Sequence, residues 1–389
     1  MSMALPAGYD PRRNLSHVMP SLAASLGANM SNTLQLPRAR SAILVLVDGL
    51  GLEQLEHYSA HAPFLRSTLQ RQSAAQTELS SIYPSTTAAA LSSLGTGLAP
   101  GEHGLVGYDV YDPARDTVIN QLGGWDERTD PETWQPAPTI FQQLNEQRLS
   151  GVHNIEPVTV SLAAFEDSAL TRASLHGPRF VGRDDLTDRF NQAAREAQQP
   201  GALIYLYVNE LDKIGHQYGP GSTPWLTVLE EIDAQARRMV RKLPTNSLAA
   251  ITGDHGMIEV KEEDRIDFAA DDELIAHIAH TAGEPRMVQL HFDPAATQDQ
   301  RSETLAAWQR RFGDRSWIVT RDQAIEAGWF GTVNNRVRRR IGELIVTSYA
   351  PIALYDSRRA SPQSFNMVGH HGAPTPAEVR VPWLMLQTP

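Results

Sequence analysis

Cysteine is missing from the chain, which has 389 residues. This absence excludes disulfides, thiolate zinc sites, iron–sulfur clusters and a cysteine nucleophile. A chain of this length buries roughly 75% of its unfolded surface when it folds, so it needs no covalent cross-link. Any metal site must therefore be built from Asp, Glu and His side chains.

Long apolar runs are missing too. No run reaches the roughly 18 apolar residues that a membrane-spanning helix requires. Residues Met1–Leu26 include Pro6, Asp10 and Arg12, and they therefore lack the apolar core of a signal peptide. We expect a cytoplasmic protein without a membrane partner.

The chain also lacks an excess of basic residues. The chain has 34 Lys and Arg against 45 Asp and Glu, which gives a formal net charge of −11. Proteins that coat nucleic acids present a basic face to the phosphate backbone. The charge balance therefore argues against nucleic acid as a partner.

Three continuous apolar runs predict buried strands, namely Ser41–Val47, Ala202–Val208 and Ser247–Ile251. Further strand candidates are Met287–Phe292, Glu343–Ser348, Ile352–Tyr355 and Trp383–Gln387. Helical spacing occurs at Ala60–Gln72, Thr86–Leu94, Thr139–Gln147, Arg183–Ala197, Pro224–Lys242 and Gln298–Arg311. This alternation predicts an α/β fold with a mostly parallel central sheet flanked by helices.

A charged segment follows Val260 and marks a candidate domain boundary. Residues 261–365 contain strand and helix patterns of their own. We expect residues 1–260 and 366–389 to form the catalytic α/β core, with 261–365 as a small inserted cap.

Each of the three clearest strands runs into an acidic residue. Asp48 follows the first strand directly, Asp212 comes four residues after the second, and Asp254 comes three after the third. Ligands of open α/β sheets bind beyond the carboxyl ends of the strands. A single Asp there is usually a cap or loop residue, but three at corresponding positions indicate a site.

Histidines stand close to two of these acids. His216 lies four residues after Asp212, which puts both side chains on one face of a helical turn. His255 directly follows Asp254, and a glycine stands on each side of this pair. A further pair of histidines occurs at positions 370 and 371. Each feature alone is compatible with an ion pair or a loop. Together they predict a site for divalent metal ions with oxygen and nitrogen ligands.

Hydroxyl side chains precede an Ala-rich helical segment at Ser85-Thr86-Thr87. They are good helix caps, and a helix start also favours a bound anion. A metal-activated hydroxyl at this point would be a nucleophile. The spacing alone leaves Thr86 and Thr87 as alternatives.

Five ordered motifs resemble those of the nucleotide pyrophosphatase/phosphodiesterase family, the type I phosphodiesterases of the alkaline phosphatase superfamily. The nucleophile segment corresponds to PSTTAAALSSLGTGLAPGEHG, and the other motifs are VDGLG, NELDKIGHQYGP, TGDHGM and HHGAPTP. In this family the nucleophilic Thr stands three residues after a Pro and nine before a Thr-Gly pair, which selects Thr87. The motifs extend from residue 41 to residue 375.

The resemblance implies an alkaline-phosphatase-like fold and two bound divalent ions, with zinc expected and manganese as the alternative. The six implied ligands fall into two groups: Asp48, Asp254 and His255 for the ion beside Thr87, and Asp212, His216 and His371 for the other. His370 is the alternative to His371. Thr87 would attack phosphorus and form a phospho-threonine intermediate.

One position departs from the family pattern. Where the phosphodiesterases usually have an Asn that donates to a phosphate oxygen, this chain has Tyr108. A phenol can also donate a hydrogen bond, but it is bulkier. Asn120, Trp125 and Asn209 are alternative residues for lining the phosphate pocket.

We therefore predict a two-metal hydrolase that cleaves phosphodiester or pyrophosphate bonds in a small phosphorylated substrate, with nucleotides as candidates. The alternative is a phosphomonoesterase, a phosphonate hydrolase or a phospho-group transferase with the same two-metal site. A sulfatase is disfavoured because Thr87 cannot be converted to formylglycine. A catalytically silent relative that only binds metal or nucleotide is disfavoured, because the six implied metal ligands and the nucleophile Thr87 are all present.

Overall fold

A computed structural model describes residues 10–73 and 76–389 of the chain. The segment Met1–Leu26, in which we expect no signal peptide, begins outside the described residues. The strands are β1 Ser41–Val47, β2 Glu78–Ser80, β3 Asp109–Asp112, β4 Thr117–Asn120, β5 Glu156–Ser161, β6 Arg179–Gly182, β7 Ala202–Val208, β8 Ser247–Gly253, β9 Ile258–Glu259, β10 Arg265–Asp267, β11 Ile278–Glu284, β12 Met287–Phe292, β13 Ser316–Thr320, β14 Leu344–Ser348, β15 Ala353–Tyr355, β16 Gly369–His370 and β17 Arg380–Gln387.

The helices lie between these strands. They are α1 Val18–Ser25, α2 Leu52–His57, α3 Pro63–Arg71, α4 Thr87–Thr96, α5 Pro100–His103, α6 Pro131–Trp134, α7 Ile140–Leu149, α8 Ala169–Ser174, α9 Leu186–Glu196, α10 Glu210–Tyr218, α11 Thr223–Val240, α12 Asp272–Ile275, α13 Gln298–Phe312, α14 Arg321–Glu326, α15 Asn335–Arg338 and α16 Pro376–Val379. Among the described residues, no helix combines the length and the apolar character needed to span a bilayer.

The central sheet has seven strands in the order β2-β17-β8-β1-β7-β5-β6. Strands β8, β1, β7, β5 and β6 are parallel to one another, and β17 runs antiparallel to both of its neighbours. The predicted α/β fold with a mostly parallel sheet is therefore confirmed.

The inner strands are buried on both faces, which explains their continuous apolar sequences. In β1, Leu44 belongs to the apolar cluster on one face and Val45 to the cluster on the other. The first cluster also contains residues of α1, α4 and α7, and the second contains residues of α3, α9 and α11. The sheet is thus covered by helices on both sides.

A second sheet has six antiparallel strands in the order β13-β14-β12-β11-β3-β4. Its core packs Leu290 and Val346 against Trp308 of α13. The hairpin β3–β4 joins this sheet through the pairing of Asp109 with Gly283 in β11. The sheet therefore combines a segment before residue 260 with the later strands, and the assignment of 261–365 to a separate cap stays a prediction.

Candidate active site

The predicted acids meet at the carboxyl edge of three adjacent strands, β8, β1 and β7. Asp48 directly follows β1, Asp254 directly follows β8, and Asp212 lies in the first turn of α10 after β7. Gly49 makes this approach possible, because its φ is +75° and a Cβ there would lie only 3.0 Å from the Cα of Asp212. The segments that follow β1 and β7 thus come into contact at the site.

The first cluster consists of Asp48, Asp254 and His255, which are buried and offer ligand atoms within 4.8 Å of one another. Nε2 of His255 lies 3.4 Å from Oδ1 of Asp48 and 3.6 Å from Oδ2 of Asp254. The other oxygen of Asp254 accepts hydrogen bonds from the backbone N–H groups of Gly49 and His255. These bonds hold the Asp254 carboxylate in place and leave Oδ2 directed at the cluster.

The second cluster consists of Asp212, His216 and His371. Oδ1 of Asp212 lies 3.3 Å from Nε2 of His216, one helical turn further along α10, and 4.0 Å from Nε2 of His371. The rings of His371 and His255 are stacked with their centroids 3.6 Å apart, so the two clusters are neighbours.

The three clustered histidines share one orientation. In each of them Nδ1 lies within hydrogen-bond distance of a backbone carbonyl: that of Gly369 for His216 (2.8 Å), Gly256 for His255 (3.0 Å) and Ser85 for His371 (2.8 Å). A carbonyl only accepts, so Nδ1 donates and Nε2 keeps a lone pair that points into the cluster. Histidines that bind metals are held by the same arrangement.

His370 is oriented differently from its neighbour His371. Its Nε2 lies 2.6 Å from the hydroxyl of Tyr355, and its Nδ1 lies 3.2 Å from the carbonyl of Val368. Burial lowers the pKa of His370 to about 3, which keeps the ring neutral. Both ring nitrogens are therefore engaged away from the clusters, which favours His371 over His370 as a ligand.

Thr87 is the first residue of α4 and follows the extended N-cap residue Thr86. Its Oγ1 lies 3.3 Å from Nε2 of His255 and 3.5 Å from Oδ1 of Asp48. The side chain is 6% exposed and lines the same cavity as the second cluster. Of the two candidate hydroxyls, that of Thr87 thus contacts the first cluster.

The electrostatics of the clusters suit cations. Burial, together with the neighbouring Asp254 and Asp212, raises the pKa of Asp48 well above its usual range, and burial also raises the pKa of Asp254. Among the described residues, Oδ2 of Asp254 and Oδ1 of Asp212 accept no hydrogen bond although both atoms are buried. Such orphaned carboxylate oxygens are costly unless a cation compensates them. Two carboxylates with one His, and one carboxylate with two His, fit small divalent ions.

A cavity of about 640 Å³ joins the clusters to the second sheet. Its lining includes Thr87, Asp212 and His371, as well as Tyr108, which precedes β3, and residues of the second sheet such as Asn120. The cavity therefore has room for a small organic substrate beside both clusters.

The candidate phosphate-pocket residues have different positions. Tyr108 lines the cavity with 39% of its surface exposed, and Asn120 lines it while donating to Asp109 (2.9 Å). Trp125 donates to the carbonyl of Gln121 and packs against a core cluster. Asn209 is the N-cap of α10, and neither it nor Trp125 is among the described residues that line the cavity.

The sequence matches the type I phosphodiesterase/nucleotide pyrophosphatase family over residues 42–374, which is most of the chain. The chain belongs to this family. The prediction of a phosphodiesterase-type hydrolase is thereby confirmed at the level of phosphoester hydrolysis.

Solved structures share the fold of this chain. Murine ectonucleotide pyrophosphatase/phosphodiesterase 5 is 17% identical, with 90% of this chain and 88% of that chain covered and a TM-score of 0.66. An inactive variant of the same murine protein was solved in complex with AMP (14% identity, 88% and 87% covered, TM-score 0.63). Phosphonoacetate hydrolase from Sinorhizobium meliloti 1021, in complex with phosphonoacetate, is 18% identical, with 91% and 92% covered and a TM-score of 0.68. At these identities the likeness shows the fold alone.

The contacts of three further residues of the candidate site escaped the sequence analysis. The hydroxyl of Tyr207 donates to Oδ2 of Asp48, and the hydroxyl of Ser85 bonds the backbone that follows His371. Glu284, at the end of β11, lines the cavity. Tyr207 lies in a run that looks merely apolar, and Glu284 reaches the site from a different sheet. Ser85 precedes the Thr pair and was noted only as a helix cap.

Proposed function

We propose that this chain is a two-metal hydrolase that cleaves phosphodiester or pyrophosphate bonds in a small phosphorylated substrate, with Thr87 as the nucleophile. The observation that carries the proposal is the position of Thr87 Oγ1, which contacts Asp48 and His255 of the first cluster and opens onto the cavity that the second cluster lines. Membership of the phosphodiesterase family supports the reaction type.

The proposed ligands are the residues of the two clusters: Asp48, Asp254 and His255 for one ion, and Asp212, His216 and His371 for the other. Zinc suits these carboxylate and imidazole sets, and manganese is the alternative. Ions bound there supply Lewis-acid stabilisation of charge on the phosphoryl group and favour the alkoxide form of a nearby hydroxyl.

The protein's own residues prepare the attack. Thr87 sits at the N-terminus of the ten-residue helix α4, where free backbone N–H groups favour an anionic phosphoryl group. Its Oγ1 would lose its proton and form a bond to phosphorus while the bond from phosphorus to the leaving oxygen breaks, which gives a phospho-threonine. The leaving oxygen takes up a proton and departs, and attack of water on phosphorus then releases the phosphoryl product and restores the Thr87 hydroxyl. The hydroxyl of Tyr207 donates to Oδ2 of Asp48 and thereby fixes the Asp48 carboxylate beside Thr87.

The substrate class follows from the cavity and from the relatives. A volume of about 640 Å³ is large enough for a nucleotide-sized molecule. The murine relative was solved with AMP and the bacterial one with phosphonoacetate, so a nucleotide or another small phosphoryl or phosphonyl compound is proposed here.

The second candidate function is phosphonate or monoester hydrolysis. Tyr108 at the usual Asn position favours it, because a bulky phenol lies where the diesterases place a small amide. The bacterial relative with phosphonoacetate also supports it.

A substrate comparison tests the proposal. Hydrolysis of bis-p-nitrophenyl phosphate, p-nitrophenyl phosphate and phosphonoacetate is measured on the zinc-loaded protein. We expect the highest kcat/KM for the diester. A higher kcat/KM for the monoester or for phosphonoacetate would reject the diester assignment in favour of the second candidate.

A further inference from the structure

Glu284 is a buried acid on the cavity wall that faces the two clusters. It ends strand β11, and only 7% of its surface is exposed. Its Oε2 accepts a hydrogen bond from the backbone N–H of Tyr108 (3.1 Å). Its Oε1 is buried beside the Thr86 side chain and accepts no hydrogen bond of normal geometry from the described residues. One carboxyl oxygen is thus anchored by Tyr108, and the other is buried beside Thr86 in a residue that lines the cavity.

Gly372 allows this side chain to come close to the clusters. It directly follows His371, and a Cβ at this position would collide with Cγ of Glu284. The acid is therefore packed between the segment that carries His371 and the residue that precedes Thr87. A phosphoryl group attacked by Thr87 would occupy this part of the cavity.

We propose that Glu284 contacts the substrate by donating a hydrogen bond from its carboxyl group to a non-bridging phosphoryl oxygen. The inference rests on the proposed function. The non-bridging oxygens of a phosphodiester carry no hydrogen at neutral pH and only accept hydrogen bonds, so a side chain that contacts them must donate a hydrogen. Tyr108 stands where related enzymes have a donating Asn, and its backbone N–H is the group that anchors Glu284.

The surroundings of Glu284 keep its carboxyl group protonated. Burial raises the pKa of Glu284 to about 8, although the Thr86 side chain and the N–H of Tyr108 lower it, and the nearby Asp109 and Glu378 raise it further. Both of these acids already have arginine partners: Arg359 for Asp109 at 3.0 Å, and Arg286 for Glu378 at 2.7 Å. A pKa of about 8 makes the protonated carboxyl group the main form at neutral pH, and this form can donate a hydrogen bond.

Substitution of Glu284 by glutamine tests whether a hydrogen-bond donor or an ionised carboxylate is needed at this position. In Glu284→Gln the amide oxygen can still accept from Tyr108 while the amide nitrogen donates to the substrate, so the variant mimics the protonated acid. Glu284→Met has a similar volume without a donor. Glu284→Ala leaves room for water at the Tyr108 N–H and serves if the methionine variant does not fold. Asp233→Asn is the matched control, because Asp233 is a buried acid that caps α3 away from the cavity.

Two measurements are made on zinc-loaded protein, namely kcat/KM for bis-p-nitrophenyl phosphate and the Kd of inorganic phosphate by calorimetry. We expect Glu284→Gln and Asp233→Asn to stay within about threefold of the wild type in both. Glu284→Met and Glu284→Ala should lose about 30-fold or more in kcat/KM and about tenfold in phosphate affinity.

Either of two results would overturn the inference: wild-type phosphate binding in the methionine or alanine variant, or a loss in Glu284→Gln as large as that in Glu284→Met. The phosphate measurement does not depend on turnover. If the wild type binds phosphate but hydrolyses no ester, the proposed function fails while the role of Glu284 in phosphoryl binding is still decided.

Discussion

Thr87 is the residue on which the proposed chemistry depends, because its hydroxyl joins the first cluster to the cavity. The hydroxyl lies 3.3 Å from Nε2 of His255, whose Nδ1 donates to a backbone carbonyl. The hydroxyl also lies 3.5 Å from Oδ1 of Asp48, so it is held beside two proposed ligands. A nucleophile held in this way needs little reorganisation before it attacks.

Replacing this residue gives the first prediction. Thr87→Ala should lower kcat for the diester by about 10³-fold or more, because a covalent nucleophile is lost, while the metal content stays at the wild-type level. Thr86→Ala is the matched control and should retain most of the activity. Steady-state kinetics together with elemental analysis measure both effects. If Thr86→Ala abolishes turnover and Thr87→Ala does not, the assignment of the nucleophile is wrong.

The histidine pair 370–371 gives the second prediction at this scale. His371→Ala should weaken metal binding at the second cluster by about tenfold or more, whereas His370→Ala should not, because the His370 ring bonds Tyr355 and Val368. Competition with a fluorescent zinc chelator measures the affinities. Equal losses in the two variants would contradict the assignment.

Single residues were predictable from the sequence when their partners are close in the chain. Asp212 and His216 are four residues apart on α10, and the structure has them in one cluster. The choice between His370 and His371 depends on ring partners from distant segments, Tyr355 and Ser85. The position of Glu284 depends on the packing of a second sheet, and its own segment carries no motif.

At the scale of elements, the start of α4 and the loop after β16 act as one unit. Ser85 Oγ donates to the carbonyl of Ala373 and accepts from the N–H of Gly372, and the Ser85 carbonyl accepts from Nδ1 of His371. Ser85 is fully buried. The loop that carries a proposed ligand is therefore tied to the helix that carries the proposed nucleophile.

The third prediction concerns this connection. Ser85→Ala removes the two hydroxyl bonds but keeps the backbone carbonyl, so we expect metal affinity at the second cluster to fall by about tenfold with the fold intact. Ser92→Ala, a buried serine of α4 that bonds Ser174, is the control. Zinc titration by calorimetry makes the comparison. An unchanged zinc affinity in Ser85→Ala would show that the hydroxyl does not position His371.

The strands that the sequence predicted best are those buried on both faces. The ranges Ser41–Val47 and Ala202–Val208 match β1 and β7 at both ends, because each is a continuous apolar run. Strand β11 was missed because Ile278–Glu284 mixes polar and small residues. It pairs with the adjacent strand β12 and, through a non-local contact, with β3. Strand β17 begins at Arg380, three residues before the predicted start, because antiparallel pairing with β2 includes Pro382.

At the scale of the whole molecule, the cavity is lined by segments that are far apart in the chain. Asp212 and His216 follow a strand of the central sheet, His371 follows β16, and further lining residues belong to β3, β4 and β11. Segments around residues 110 and 280 meet in one antiparallel sheet. Register between segments so distant in the chain is set by tertiary packing, which no local pattern records.

Metal removal gives the fourth prediction. The clusters gather buried carboxylates whose oxygens lack donors, so ions that bind only the folded state should stabilise it. At a metal concentration about 1,000 times Kd, each site adds about 4 kcal/mol to the free energy of unfolding. Differential scanning calorimetry should show a lower Tm after treatment with a chelator, and recovery on addition of zinc. A Tm that is the same with and without chelator would contradict metal binding at these sites.

The most direct test of the central claim is elemental analysis of the purified, zinc-supplemented protein together with cluster-specific variants. The two-cluster account predicts about two divalent ions per wild-type chain. Asp254→Ala should retain about one, held by the second cluster, and His216→Ala about one, held by the first. A wild-type content below about one ion per chain, or full occupancy in both variants, would contradict it.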